Sequence, residues 1–140
     1  MFDDTRIPLR LKLSALWCSV MFCYLYGDYF ELYSPGKLPS MLSGRMALGP
    51  ISQGVLLGMA VMMAIPSLMI FLSLILSVTL TRWLNVVLGA AYTLIIVLVL
   101  LVPGSWYFYL FLGLVEIALT LTIVWYAWTW PKQPASPVAR

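Results

Sequence analysis

Two long stretches without charge constrain this chain more than any motif in it. From Ala47 to Thr81 there is no Asp, Glu, Lys or Arg, and from Trp83 to Trp130 there is one, Glu116. Uncharged apolar runs beyond about 18 residues are what a hydrocarbon core requires of a segment that crosses it. The runs are continuous rather than alternating, which points to helices and away from barrel strands. Only 9% of the 140 residues are charged and 63% are hydrophobic, whereas soluble domains carry about 25% charged residues. So little charge cannot cover a small body in water, and lipid is the expected solvent.

Four apolar segments can be bounded, at about 11–33, 51–80, 83–102 and 105–130. The predicted fold is all-α: a single four-helix transmembrane bundle over residues 1–130, followed by a disordered, proline-rich tail at 131–140. Tight connections at Thr81-Arg82 and Pro103-Gly104 predict that helices two, three and four are consecutive antiparallel neighbours. The one long loop runs from Ser34 to Pro50, and within it Leu38 to Leu48 is expected as a short interfacial helix.

Orientation follows from Lys and Arg near the helix ends. Arg6, Arg10, Lys12, Arg82, Lys132 and Arg140 fall on one side, and Lys37 and Arg45 on the other. Six against two predicts that both termini are cytoplasmic. Aromatic belts agree: Trp106, Tyr107 and Tyr109 open the last helix, and Trp125, Tyr126, Trp128 and Trp130 close it. The first segment has the basic start of a signal peptide, but Trp17, Tyr24 and Tyr26 stand where small residues would mark cleavage, so it is expected to be retained.

Glu116 is the outstanding residue. It lies ten residues in from Trp106, about 15 Å deep along a helix, where a charge is costly. The carboxyl group should therefore face the bundle or be protonated. Gly113 and Thr120, at i−3 and i+4, and Tyr109 further out, support an inward face. Two readings stand: a proton- or cation-binding carboxylate, or a neutral acid hydrogen-bonded to a neighbouring helix that locks packing.

A second acidic group, Asp28 and Glu31 with Tyr24 at i−4, shares one face at the end of helix one. It reads either as the aromatic-walled outer mouth of a pathway for a cation or amine, or as a wet helix end whose acids pair with Lys37 and Arg45. Gly54 and Gly58 form a GxxxG, and Asn85, Gly89 and Thr93 repeat at four; with Gly113 these glycines are candidate helix-packing positions. Pro66, inside helix two, predicts a kink. Ser67, Ser73 and Ser77 are expected to bond to carbonyls of their own helix.

Several chemistries are disfavoured. There is no histidine, so the commonest proton shuttle and metal ligand is missing. Cys18 and Cys23 are five apart and point in different directions on a helix, so they are read as apolar fillers. Met62, Met63 and Met69 lack nearby Cys or His partners, so no metal is expected, and neither a cofactor nor a nucleophile–base pair is apparent. The few scattered basic residues give no nucleic-acid footprint.

Three stretches carry a family likeness: Tyr26-Gly27-Asp28 running to Pro35-Gly36, Ile65-Pro66 followed by Met69 and Leu72-Ser73, and Arg82-Trp83 with Asn85. In these the chain resembles a family of small four-helix bacterial membrane proteins known only as a domain of unknown function. The resemblance implies a bacterial inner-membrane protein and supplies no activity. Two non-enzymatic roles then compete: a small transporter or channel-like bundle, and an accessory or assembly subunit of a larger membrane complex. Expected partners are the lipid bilayer together with a second copy or a membrane partner subunit. A lipid-modifying enzyme is third, for want of a catalytic set.

Overall fold

The computed structural model describes residues 6–46, 49–102, 104 and 106–131. The elements, in order, are α1 (Leu9–Glu31), α2 (Lys37–Leu42), β1 (Arg45–Met46), β2 (Gly49–Pro50), α3 (Gln53–Ile75), α4 (Val78–Leu100) and α5 (Tyr107–Trp128). The molecule is all-helical apart from the small antiparallel hairpin of β1 and β2. Helices α3, α4 and α5 are each long and apolar enough to cross a membrane. α1 matches α3 and α4 in length, at 23 residues, or about 34 Å at 1.5 Å per residue.

The second and third helices differ from expectation at their shared boundary. The break falls at Leu76-Ser77, both extended (ψ 161° and 150°), and not at Thr81-Arg82. Helix two is therefore shorter than the 51–80 span predicted, and Thr81 and Arg82 lie within α4. Hydropathy is blind here because both sides of the turn are apolar, so the lone charge draws the predicted boundary. Arg82 instead serves the end of α5, where its guanidinium donates to the carbonyls of Ala127 (3.2 Å) and Trp128 (3.4 Å). Arg10 does the same for α3, donating to Leu74 O at 2.9 Å. Unpaired carbonyls and the negative pole of the dipole make a helix C-terminus a favourable place for a cation.

The first loop also departs from the single helix expected over Leu38–Leu48. α2 ends at Leu42, Gly44 turns with φ 77°, and a hairpin follows. α3 then starts on Ser52, whose hydroxyl accepts from Val55 N at 3.2 Å, a side-chain N-cap. The disordered tail expected at 131–140 lies, beyond Pro131, outside the described residues, as does Pro103 of the third turn.

The bundle is not assembled in sequence order. α1 packs on α3 and on α5, and α5 packs on α4, while α3 and α4 touch far less than these pairs despite their short connection. This corrects the expectation that helices two and three pack as close neighbours. Large side chains hold the seam apart. Leu13, Trp17 and Val20 of α1 are wholly buried at the centre with Met69 and Ile123, and the Trp17 and Tyr92 rings meet edge to face at 6.0 Å. By contrast, α4 and α5 approach closely at Gly89, where a Cβ would lie 2.8 Å from Val124 Cγ2.

Polar bonds tie the seam where apolar packing is thin. Trp17 Nε1 donates to Asn85 Oδ1 at 2.7 Å, and Asn85 Nδ2 donates to Thr81 O at 2.8 Å and to Ser73 Oγ at 3.3 Å. The cluster joins α1, α3 and α4, and Trp17, Asn85, Ser73 and Thr81 are all fully buried. Ser73 thus accepts from another helix. Ser67 does bond its own helix (Met63 O, 2.8 Å), and Ser77 sits at the N-cap of α4 without a side-chain bond. Pro66 is buried within α3. Having no N–H, it leaves the carbonyl of Met62, four residues back, without its helical donor. The hydroxyl of Tyr92 on α4 donates to that carbonyl, which answers the backbone deficit from a neighbouring helix.

Candidate functional site

The two acidic features that lie far apart in sequence meet in space. α1 and α5 run antiparallel, and Gly27 of α1 comes against Leu112 of α5, with 3.8 Å from an ideal Cβ to Leu112 Cδ1. Counting inward from that end places Tyr24 and Glu116 at similar depth. Glu116 is 6% exposed and lies within electrostatic reach of Asp28, Tyr24, Cys23 and Tyr109. Tyr109, two turns before Glu116 on the same face of α5, is also within reach of Asp28 and Glu31. Glu116, Tyr24 and Tyr109 thus lie on the α1–α5 side of the bundle, with the exposed Asp28 and the partly exposed Glu31 nearer the end of α1.

Hydrogen bonding at Glu116 and Tyr24 is incomplete. Among the described residues the carboxyl group of Glu116 has no hydrogen-bond partner, and only its backbone carbonyl is engaged, by Thr120 Oγ1 at 2.9 Å. Thr120 is bridged in turn to Thr93 of α4 at 2.7 Å. The hydroxyl of Tyr24 is buried and likewise has no partner. Its ring meets Tyr92 at 6.4 Å between centroids, near perpendicular. Buried polar groups are normally paired, because each unpaired one costs about 1–3 kcal/mol. The other buried side-chain polar atom without a partner among the described residues is the Ser34 hydroxyl, at the far end of α1.

Towards the end of α1 these acids acquire their one neighbouring cation among the described residues. Lys37, at the start of α2, forms an ion pair with Glu31 and acts electrostatically on Asp28. The pair is partly exposed, with 25% and 36% of the two side chains accessible, as the reading of a wet helix end paired with a first-loop cation expects. Among the described residues no group of three or more His, Cys, Asp or Glu side chains could hold a metal ion.

The remaining predicted positions separate. Gly89 and Gly113 are true close-approach sites: a Cβ on Gly113 would sit 2.8 Å from Leu100 Cδ2. Gly54 and Gly58 are not. Gly58 has nothing within 4 Å of an ideal Cβ, and Gly54 meets only Ser52 Oγ of its own cap, so no other described helix of this chain packs on the GxxxG. Cys18 and Cys23 are half-buried free thiols. A separate apolar cavity of 390 Å³ lies between Phe30, Tyr33, Ser34, Trp106 and Phe108 and shares no lining residue with the acids.

Sequence reasoning missed the convergence of Asp28 with Glu116, and the parts played by Tyr92 and Trp17. A usable signal exists for the first, since both acids can be counted inward from the same end of the bundle. Comparison with curated proteins and with solved structures gave no match. A family of unknown function (DUF6326) matches residues 2–136, which is nearly the whole chain and all of its long helices, and the chain belongs to that family.

Proposed function

We propose that this chain is a four-span protein of a bacterial inner membrane, with both termini cytoplasmic, and that it handles a small cation or a proton through Glu116, as a transporter or channel-like bundle and not as an enzyme. α1 supports the fourth span. It has the length of its neighbours, and its stretch from Leu13 to Gly27 carries no charge. Its charges sit at the two ends, where they meet helix carbonyls on one side and the acidic cluster on the other. Arg10, Lys12 and Arg82 gather at the end assigned to the cytoplasm.

The observation that carries the functional reading is Glu116 itself, an acid 6% exposed whose carboxyl group makes no hydrogen bond to a described residue and which acts electrostatically on Tyr24. An acid that only locked packing would donate to or accept from a neighbouring helix, as Asn85 does. An acid that serves a mobile cation keeps its oxygens available. The test is flux in proteoliposomes under an imposed potential, read with trapped proton- and cation-sensitive dyes. Wild-type vesicles should pass the cation or proton, and Glu116→Gln should fall to the level of empty vesicles. Equal flux from both proteins, or none from either, sinks the reading.

A second role, as an accessory or assembly subunit, is favoured by one observation. Gly54 and Gly58 present a small-residue face that no described helix of this chain covers. Native mass measurement in mild detergent, with bound partners retained, separates the two.

A further inference from the structure

The two halves of α3 are held unequally, and Pro66 divides them. In the half towards the basic end, Met69 and Ser73 are buried along with Pro66 itself. Side chains of other helices reach this half at three places: Arg10 donates to Leu74 O at 2.9 Å, Ser14 to Ile70 O at 2.7 Å, and Asn85 to Ser73 Oγ at 3.3 Å. In the half towards the acidic end, residues 53–65, none is buried, and only Val55, Met59, Met62 and Met63 are half-buried. Segments with few buried contacts open at low free energy.

Among the described residues, one side-chain hydrogen bond ties this lightly held half to another helix. The Tyr92 hydroxyl of α4 donates to the Met62 carbonyl. That carbonyl is free to accept because Pro66 has no N–H to give it. The residue that weakens the helix at this point therefore also creates the acceptor that Tyr92 uses. A lost backbone bond is where a helix bends. The chain leading into α3 adds little support, since α2 has no buried residue and residues 51–53 are exposed.

We infer that residues 53–65 of α3 form a flap that swings about Pro66, and that the bond from Tyr92 to Met62 is its latch. Tyr92 belongs to the fixed side. It is 4% exposed, and its ring meets Trp17 at 6.0 Å and Tyr24 at 6.4 Å between centroids. Met62 belongs to the moving side. Its release bares the Tyr92 hydroxyl and opens the α3–α4 side of the bundle next to Tyr24. The other half of α3 stays in place through its bonds to α1 and α4. The flap is independent of what Glu116 binds.

Distances between paired spin labels test this, read by double electron–electron resonance on the full chain in lipid nanodiscs, with Cys18→Ala and Cys23→Ala as the background. One pair, at Leu57 and Phe111, joins the flap to α5. The other, at Phe71 and Leu121, joins the anchored half of α3 to α5. All four side chains are exposed. Tyr92→Phe should raise the ratio of long to short distances in the first pair roughly five-fold, the worth of one hydrogen bond, and leave the second pair unchanged. Adding Pro66→Ala returns an N–H to the Met62 carbonyl, so the double variant should recover the wild-type distances. Pro66→Ala alone keeps Tyr92 and should lower the ratio, which decides the matter even if Tyr92→Phe does not fold. A first pair unmoved by Tyr92→Phe, a second pair that moves with it, or no recovery in the double variant overturns the inference. A ratio that Pro66→Ala alone raises or leaves unchanged overturns it as well.

Discussion

Two polar clusters are buried in this bundle, and they are built in opposite ways. The Trp17–Asn85–Ser73–Thr81 cluster lies towards the basic end, and the indole N–H and both the oxygen and the NH2 of the Asn85 amide are engaged across three helices. The Glu116–Tyr24 pair lies towards the acidic end, where the buried Tyr24 hydroxyl has no partner among the described residues and Glu116 is bonded through its backbone carbonyl. Association of helices in lipid gains little from hydrophobicity, so satisfied polar bonds and close contacts carry much of the specificity. The difference teaches that polarity at depth has two uses here. One cluster is closed and holds the helices together, while the other is open and contributes little to holding them.

The contrast can be broken most directly at Asn85. Asn85→Leu strands the Trp17 N–H and the Ser73 hydroxyl and should destabilise the bundle by about 2 kcal/mol, measured by steric trapping in bicelles; a loss below about 0.5 kcal/mol would remove Asn85 from its structural role. Next in size is the glycine pair. Gly89→Ala drives a methyl group into Val124 and should cost about 1–2 kcal/mol. Gly58→Ala enters open space and should be neutral or slightly stabilising, by up to about 0.5 kcal/mol. Equal losses in the same assay would mean that the α3 face is covered in the assembled protein. The smallest effect belongs to the open cluster. Tyr24→Phe removes a hydroxyl that has no partner, so stability should hold or rise by about 0.5 kcal/mol. A drop of about 1 kcal/mol or more in the same trap would show that this hydroxyl is bonded after all, and the two clusters would then be alike.

The inward face of Glu116 is legible in the sequence, because Gly113 and Thr120 flank it at helical spacing and small or polar residues suit close helix contact. The apolar spans are legible from the lack of charge alone. The turn at Leu76-Ser77 is not, since it interrupts a run that is apolar on both sides and leaves no mark in hydropathy. The order of packing is also hidden. Short loops state which helices are joined, but they say nothing of how closely those helices pack, and α3 and α4 meet through the side chains of Asn85 and Tyr92 and not along a close seam. Taken along the chain, Trp17 argues only against cleavage, and Asn85 only extends a small-residue stripe. Partners of this kind come from three helices and cannot be read from any one of them.

The central place of α1 has a consequence for biogenesis. α1 is synthesised before either helix it packs against, and the later of these, α5, emerges last of the long helices. In the interval the indole N–H of Trp17 waits for Asn85, and the face carrying Asp28 waits for α5. Arg82 likewise enters the bilayer edge well before Ala127 and Trp128 exist to receive it. The contacts that α1 makes with α5, and the bonds from Arg82 to the end of α5, can therefore form only after the last of the long helices has been made.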